Sequence, residues 1–113
     1  MSYDLELGVK TENGNFVPTR VQPEYSSPTY NLGEMFRKST GWDFEQGKEY
    51  RVDKVLDKVF KGIYELMHFP DEYKKYEPRN GWGSVEGAFR DLLSLAKAIE
   101  DSDVPLDELY VRW

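Results

Sequence analysis

The stretch from Val52 to Met67 reads V-D-K-V-L-D-K-V-F-K-G-I-Y-E-L-M. No other segment constrains the fold as strongly. At about 100° per residue, Val52, Val55, Leu56, Val59, Phe60, Ile63, Leu66 and Met67 fall within an arc of about 140°. Asp53, Lys54, Asp57, Lys58, Lys61 and Glu65 fill the opposite side. Such a segment is a surface helix with a wide buried face and a solvated charged one. Lys48 to Arg51 is expected to add its first turn, giving a helix over 48–67, and His68-Phe69-Pro70 closes it.

A face that wide needs a partner, and one lies further on. Ser84 is a good N-cap, and Val85, Ala88, Phe89, Leu92, Leu93, Leu95, Ala96 and Ile99 share one side of a helix over 85–99. Packing the two stripes together is the economical core. Leu56, Val59, Phe60 and Ile63 are therefore expected to lie buried against Phe89, Leu92, Leu93 and Ala96. On that expectation Phe60→Ala costs about 3–5 kcal/mol.

The rest of the chain covers this pair. Tyr3, Leu5, Leu7 and Val9 alternate with Asp4 and Glu6, the pattern of a half-buried strand. Asn13-Gly14 is a turn signal, and Phe16 to Val21 can return, so residues 3–21 read as a hairpin. Pro18 keeps the second strand short or at an edge. Residues 22–30 are a connector rich in proline and serine. Asn31 and Glu34 have capping-box spacing before a short helix over 32–39, with Gly41 placed to end it. Residues 100–113 form a C-terminal tail in which Leu109 to Trp113 is a last strand or a segment packed on the core. The class is α+β and mainly helical: two long helices, one short one and an N-terminal β-hairpin. With 113 residues the whole is one domain.

Composition narrows the chemistry. There is no cysteine, which removes disulfides, thiolate nucleophiles and cysteine-type zinc sites. No apolar run is long enough to span a membrane, and the N-terminus lacks the features of a secretion signal. A cytoplasmic protein is expected. His68 is the only histidine. It has no nucleophile or metal ligand at motif spacing, and a cation there suits the helix dipole. Gly81-Trp82-Gly83 is not a phosphate loop, and no pair of carboxylates stands out for hydrolysis. No catalytic residue, metal site or cofactor is expected.

Net charge is −6, which repels phosphate backbones and disfavours direct nucleic-acid binding. It suits a protein partner with a basic surface. Glu100, Asp101, Asp103, Asp107 and Glu108 form an acidic cluster that lacks the EF-hand ligand order, so it reads as solvated charge or a docking patch. Tyr30, Trp42 and Trp82 fall in or beside expected loops, where aromatics that are exposed serve as interface anchors.

The order of these features resembles small, largely uncharacterised proteins of bacteriophages and prophages. Met1-Ser2-Tyr3-Asp4 opens a strand, and Thr29-Tyr30-Asn31 enters a short helix with Phe36 and then Gly41. A glycine-bearing turn leads into the run from Ala88 to Ala96, and Trp113 follows. The segment between Phe16 and Ser27 is shorter than in that pattern, and the central helix more charged. The resemblance implies a phage origin, work inside a bacterial cell, and no nameable enzyme activity. The expected function is a non-enzymatic acidic binding protein, in its sharpest form an anti-CRISPR-like inhibitor that occupies a basic surface on a host defence nuclease. The alternative is a small phage structural or assembly protein acting through oligomer contacts.

Overall fold

The computed structural model describes all residues from Met1 to Trp113. Its elements in order are β1 (Glu6–Lys10), β2 (Phe16–Pro18), α1 (Gly33–Thr40), β3 (Glu49–Arg51), α2 (Val52–His68), α3 (Pro70–Tyr73), α4 (Val85–Asp101) and β4 (Tyr110–Arg112). The class is α+β and mainly helical, as the two stripes and the alternating N-terminus imply. The strands form one antiparallel sheet of order β2-β1-β4-β3. The hairpin is thus one edge of a larger sheet. The C-terminal strand is inserted beside it, with Leu7 opposite Val111 and Tyr50 opposite Val111 on the other flank.

That insertion overturns the expected start of the central helix. Glu49 to Arg51 is strand β3, not a helical turn. Long-range pairing decides it: Glu49 to Arg51 take partners on β4, and Arg112 lies within 2.8 Å of Glu6 and 3.6 Å of Glu49. The strand then runs directly into α2. The first amides of a helix have no partner inside it. Here Val52 N–H donates to the Leu109 carbonyl at 2.8 Å and Asp53 N–H to that of Leu106 at 3.2 Å. The tail therefore caps the central helix as well as completing the sheet.

Under the sheet sits an aromatic cluster centred on Trp113. Its indole stacks on Phe44 at 4.1 Å and 12°, and Phe36, Tyr3 and Trp42 surround it at 5.1, 5.6 and 5.7 Å. Gly41, with φ 68°, ends α1 in the left-handed conformation that glycine tolerates. The chain then extends, burying Trp42 and Phe44 while Asp43 and Glu45 face water.

The helix pair forms, but α2 is rotated from the expected orientation. Its buried line is Val52, Val55, Val59, Gly62 and Leu66. Val59 and Leu92 are buried, and Leu56, Ile63, Phe89 and Ala96 pack partly against the core. Phe60 is not buried: it is 55% exposed, with Met67 at 54% and Leu93 at 46%. The cause is Gly62. A Cβ there would lie 2.5 Å from Thr40 Cγ2 and 2.7 Å from Leu92 Cδ1, so α1 and α4 close in on α2 at this one bare position. The helix turns its smooth valine–glycine side inward and leaves its bulky side out. Gly62→Ala tests this. Overpacking costs about 1–3 kcal/mol, against a helix-propensity gain of about 0.8–1 kcal/mol. The variant is expected to unfold at lower urea than the parent, whereas the same change on an exposed helix face raises stability.

The entrance to α1 also differs. Thr29, not Asn31, is the capping residue. Its hydroxyl accepts from the Asn31 amide at 3.3 Å, over a 3-10 turn at Tyr30–Leu32 that leads into the helix. The Asn31 side chain instead donates to the Trp82 carbonyl at 3.4 Å. The 3-10 turn begins the helical segment two residues earlier, so Thr29 takes the capping position, and the Asn31 side chain turns away to Trp82. Ser84 does cap α4, accepting from the Gly87 amide at 3.0 Å.

Candidate functional site

The side chains that the rotation of α2 leaves outside converge on a groove. Leu56, Phe60 and Ile63 of α2 form one wall, and Leu93, Ala96 and Ile99 of α4 the other. Val104, Pro105 and Leu106 close one end, and the volume is about 890 Å³. Met67, 54% exposed, prolongs the apolar strip along α2. From Leu56 to Met67 the strip runs for about 17 Å at the rise of an α-helix. Water-facing aromatics and leucines are common singly; a contiguous run of them marks an interaction surface.

The charge around this groove is uneven. Lys97, Glu100 and Asp101 line it. By helical period, Asp57 borders the strip on α2, and Lys54, Lys58 and Lys61 lie on the far side of that helix. At the closed end the loop after α4 carries Asp103, Asp107 and Glu108, all exposed, as are Glu100 and Asp101. Of the acidic cluster read from the sequence, Glu100 and Asp101 thus line the apolar groove, and Asp103, Asp107 and Glu108 flank in sequence the Val104–Leu106 segment that borders it. The groove itself was invisible, because its side chains were assigned to the core.

Glu100 and Asp101 occupy the last turn of α4, which contains no basic residue. Carboxylates at a helix C-terminus oppose the macrodipole, each by about 0.3–1 kcal/mol at low salt. These acids act against the stability of the helix that carries them. Glu100→Lys and Asp101→Lys are expected to raise the melting temperature in low-salt buffer while weakening any basic ligand of the groove. Opposite signs in the two measurements would identify acids kept for binding; a fall in both would mean that they support the fold.

The three aromatic candidates have different fates. Trp42 is 3% exposed, edge-on to Tyr50 at 5.2 Å and part of the Trp113 cluster, so it presents no surface to a partner. The alternation Trp42-Asp43-Phe44-Glu45 was the signal for this. Tyr30 is half-buried, edge-on to Tyr3 at 4.7 Å, and its hydroxyl accepts a hydrogen bond from Gln46 Nε2. It caps the core. Trp82 is 71% exposed. Its backbone is held on both sides, the amide donating to Asn80 Oδ1 at 2.9 Å and the carbonyl accepting from Asn31. Trp82 is not part of the α2–α4 groove; it lies at the other end of α4, beside Ser84.

His68 ends α2, exposed, its ring 4.4 Å from Tyr64. No group of three or more His, Asp or Glu side chains is placed to hold a metal ion, and no helix is long and apolar enough to cross a membrane. Tyr73 is buried and donates to Glu65 at 2.7 Å, and burial followed by that hydrogen bond pushes its phenol up from the ordinary value. The pair ties α3 to α2.

Compared with known proteins, the chain matches no family model, and no characterised protein or solved structure is similar to it. What the protein does has to be read from its own surface.

Proposed function

We propose that this chain is a non-enzymatic protein-binding module whose α2–α4 groove receives an amphipathic helix with a basic flank. The observation that carries this is the pairing of exposed Phe60, Met67 and Leu93 with a groove whose closed end is acidic. An amphipathic helix lays side chains spaced i, i+3, i+4 and i+7 into such a groove, and about 17 Å accommodates three turns of it. The carboxylates around Glu100 and Asp101 steer a basic segment in and disfavour an acidic one. In the form that the phage resemblance implies, the partner is a host protein with a basic surface, such as a defence nuclease, and binding blocks it. The apolar content of the patch favours a second reading, an assembly protein whose groove is covered by another copy of the chain.

The test uses three synthetic helical peptides of equal apolar pattern whose polar faces are basic, neutral or acidic. Anisotropy is read at low and at physiological salt, with amide chemical shifts to locate binding. The basic peptide is expected to bind most tightly, to weaken with salt, and to shift the amides of Leu56, Phe60 and Leu93. Equal affinity for all three, or shifts elsewhere, would overturn the reading. Concentration-dependent dimerisation in sedimentation, abolished by Leu93→Ser, would move the conclusion to the assembly protein.

A further inference from the structure

A second cavity lies on the other side of α4 and does not depend on the groove. The connector of residues 22–29 runs along this helix, with the Tyr25 amide 3.4 Å from Ser94 Oγ. Between connector, helix and the Gly81–Gly83 loop is an open cleft of about 580 Å³. Its walls include Tyr25, Ser26, Trp82 and Arg90, and Asp91 lines it.

Asp91 is the unusual member. It is only 6% exposed, and its carboxylate, without a protein donor, keeps its oxygens open to the cleft. The neighbouring Arg90 does not pair with it; that guanidinium lies over the Tyr25 ring at 4.2 Å. A carboxylate largely withdrawn from water is costly, and burial pushes Asp91 up to about 6, against the pull of Arg90. At pH 7.5 the group is still ionised. A bare anion in a cleft is a demand for a donor, and charge-assisted hydrogen bonds meet it best.

Trp82 supplies the second half. Gly81 and Gly83, at φ 79° and 142°, hold a backbone that side chains resist, and a Cβ at Gly83 would meet Leu32 Cδ2 at 2.8 Å. The loop is held by the hydrogen bonds of the Trp82 backbone to Asn80 and Asn31, and it projects an indole into water at the rim of the cleft that Asp91 lines. An indole face attracts cations. A metal ion would find too few ligands here, and an anion would meet Asp91 and Glu24. We infer that the cleft between Trp82 and Asp91 is a binding site for an organic cation, an ammonium or guanidinium group seated on the carboxylate with its stem against the indole.

The group can come from a lysine or arginine side chain of a protein or from a free small amine, and the probes separate these. The full chain is titrated at pH 7.5 with Nα-acetyl-arginine amide, Nα-acetyl-lysine amide, agmatine, and the neutral Nα-acetyl-norleucine amide, following the amides of Gly81, Trp82, Gly83 and Gly87. At least one cationic probe is expected to bind saturably and about tenfold more tightly than the neutral one. Tighter binding of a capped amino acid assigns the site to a protein side chain, and tighter binding of agmatine to a free amine. Asp91→Asn should erase the preference for charge, and Trp82→Ala should weaken cationic binding about fivefold.

Lowering the pH from 7.5 to 5 should also erase the preference. The charged or titratable groups facing the cleft are Asp91, Glu24, Arg90 and Tyr25, and of these Asp91 is the one raised into that window. The sign for stability runs the other way. A carboxyl whose folded value is raised stabilises the fold most below its unfolded value, and this is lost as pH rises through about 6. Asp91→Asn is therefore expected to melt higher than the parent at pH 7.5 while losing the probe. A variant that melts lower, or that binds the cations as the parent does, would overturn the site. So would equal affinity for the norleucine probe, or no saturable shift at these amides.

Discussion

Replacing Trp113 by alanine is expected to remove about 3–5 kcal/mol of stability, a large share of the 5–15 kcal/mol typical of a folded protein. Four aromatic rings pack on this indole, and it is 2% exposed. Its carbonyl also accepts from the Gly47 amide at 2.9 Å, fixing the approach to β3. Truncation leaves a cavity between sheet and α1 that the stacked Phe44 cannot fill alone. Trp113→Phe is the informative control. The indole N–H is buried without a hydrogen-bond partner, as is that of Trp42. Phenylalanine removes that unsatisfied donor and keeps a ring to stack on Phe44. It is expected to cost less than half as much as alanine. Urea unfolding followed by circular dichroism reads both. An alanine variant with the parent's midpoint would mean that Trp113 does not organise the core.

The second large effect is on binding. Phe60→Ser with Leu93→Ser is expected to weaken the basic helical peptide about thirtyfold or more, the equivalent of about 2 kcal/mol at an interface hot spot. Both side chains are about half exposed, so much of their surface is already in water and the double variant should remain folded. Leu92→Ser, one position away and fully buried, should instead lose stability by about 2–5 kcal/mol, the cost of emptying a core leucine site. The contrast between Leu92 and Leu93 separates the groove from the core. Were Phe60→Ser to destabilise as much as Leu92→Ser, the inward-facing orientation first expected of Phe60 would be the correct one. Were the double variant to bind as well as the parent, the groove would not be the docking surface.

The sequence by itself determined the class and most element positions. Local rules suffice where neighbours in the chain decide the conformation. The 3.6-residue stripes of α2 and α4, the Ser84 cap, the Gly41 stop and the Asn13-Gly14 turn are all of this kind. The exposed acids from Glu100 to Glu108 were legible for the same reason, because a carboxylate cluster stays in water whatever the fold.

Tertiary structure decided what depends on distant partners. Glu49–Arg51 is a strand because β4, from the far end of the chain, pairs with it. Asn31 reaches Trp82 rather than its own helix because the Gly81–Gly83 loop is folded beside it. The groove came from the same source. A hydrophobic stripe states how much apolar surface a helix carries, not which part its neighbours will cover. At α2 the missing Cβ of Gly62 lets α1 and α4 approach one side, and the two together cannot reach Phe60 and Met67. Asp91 was equally opaque. Its isolation follows from a connector laid across α4, and only the folded chain brings that connector there.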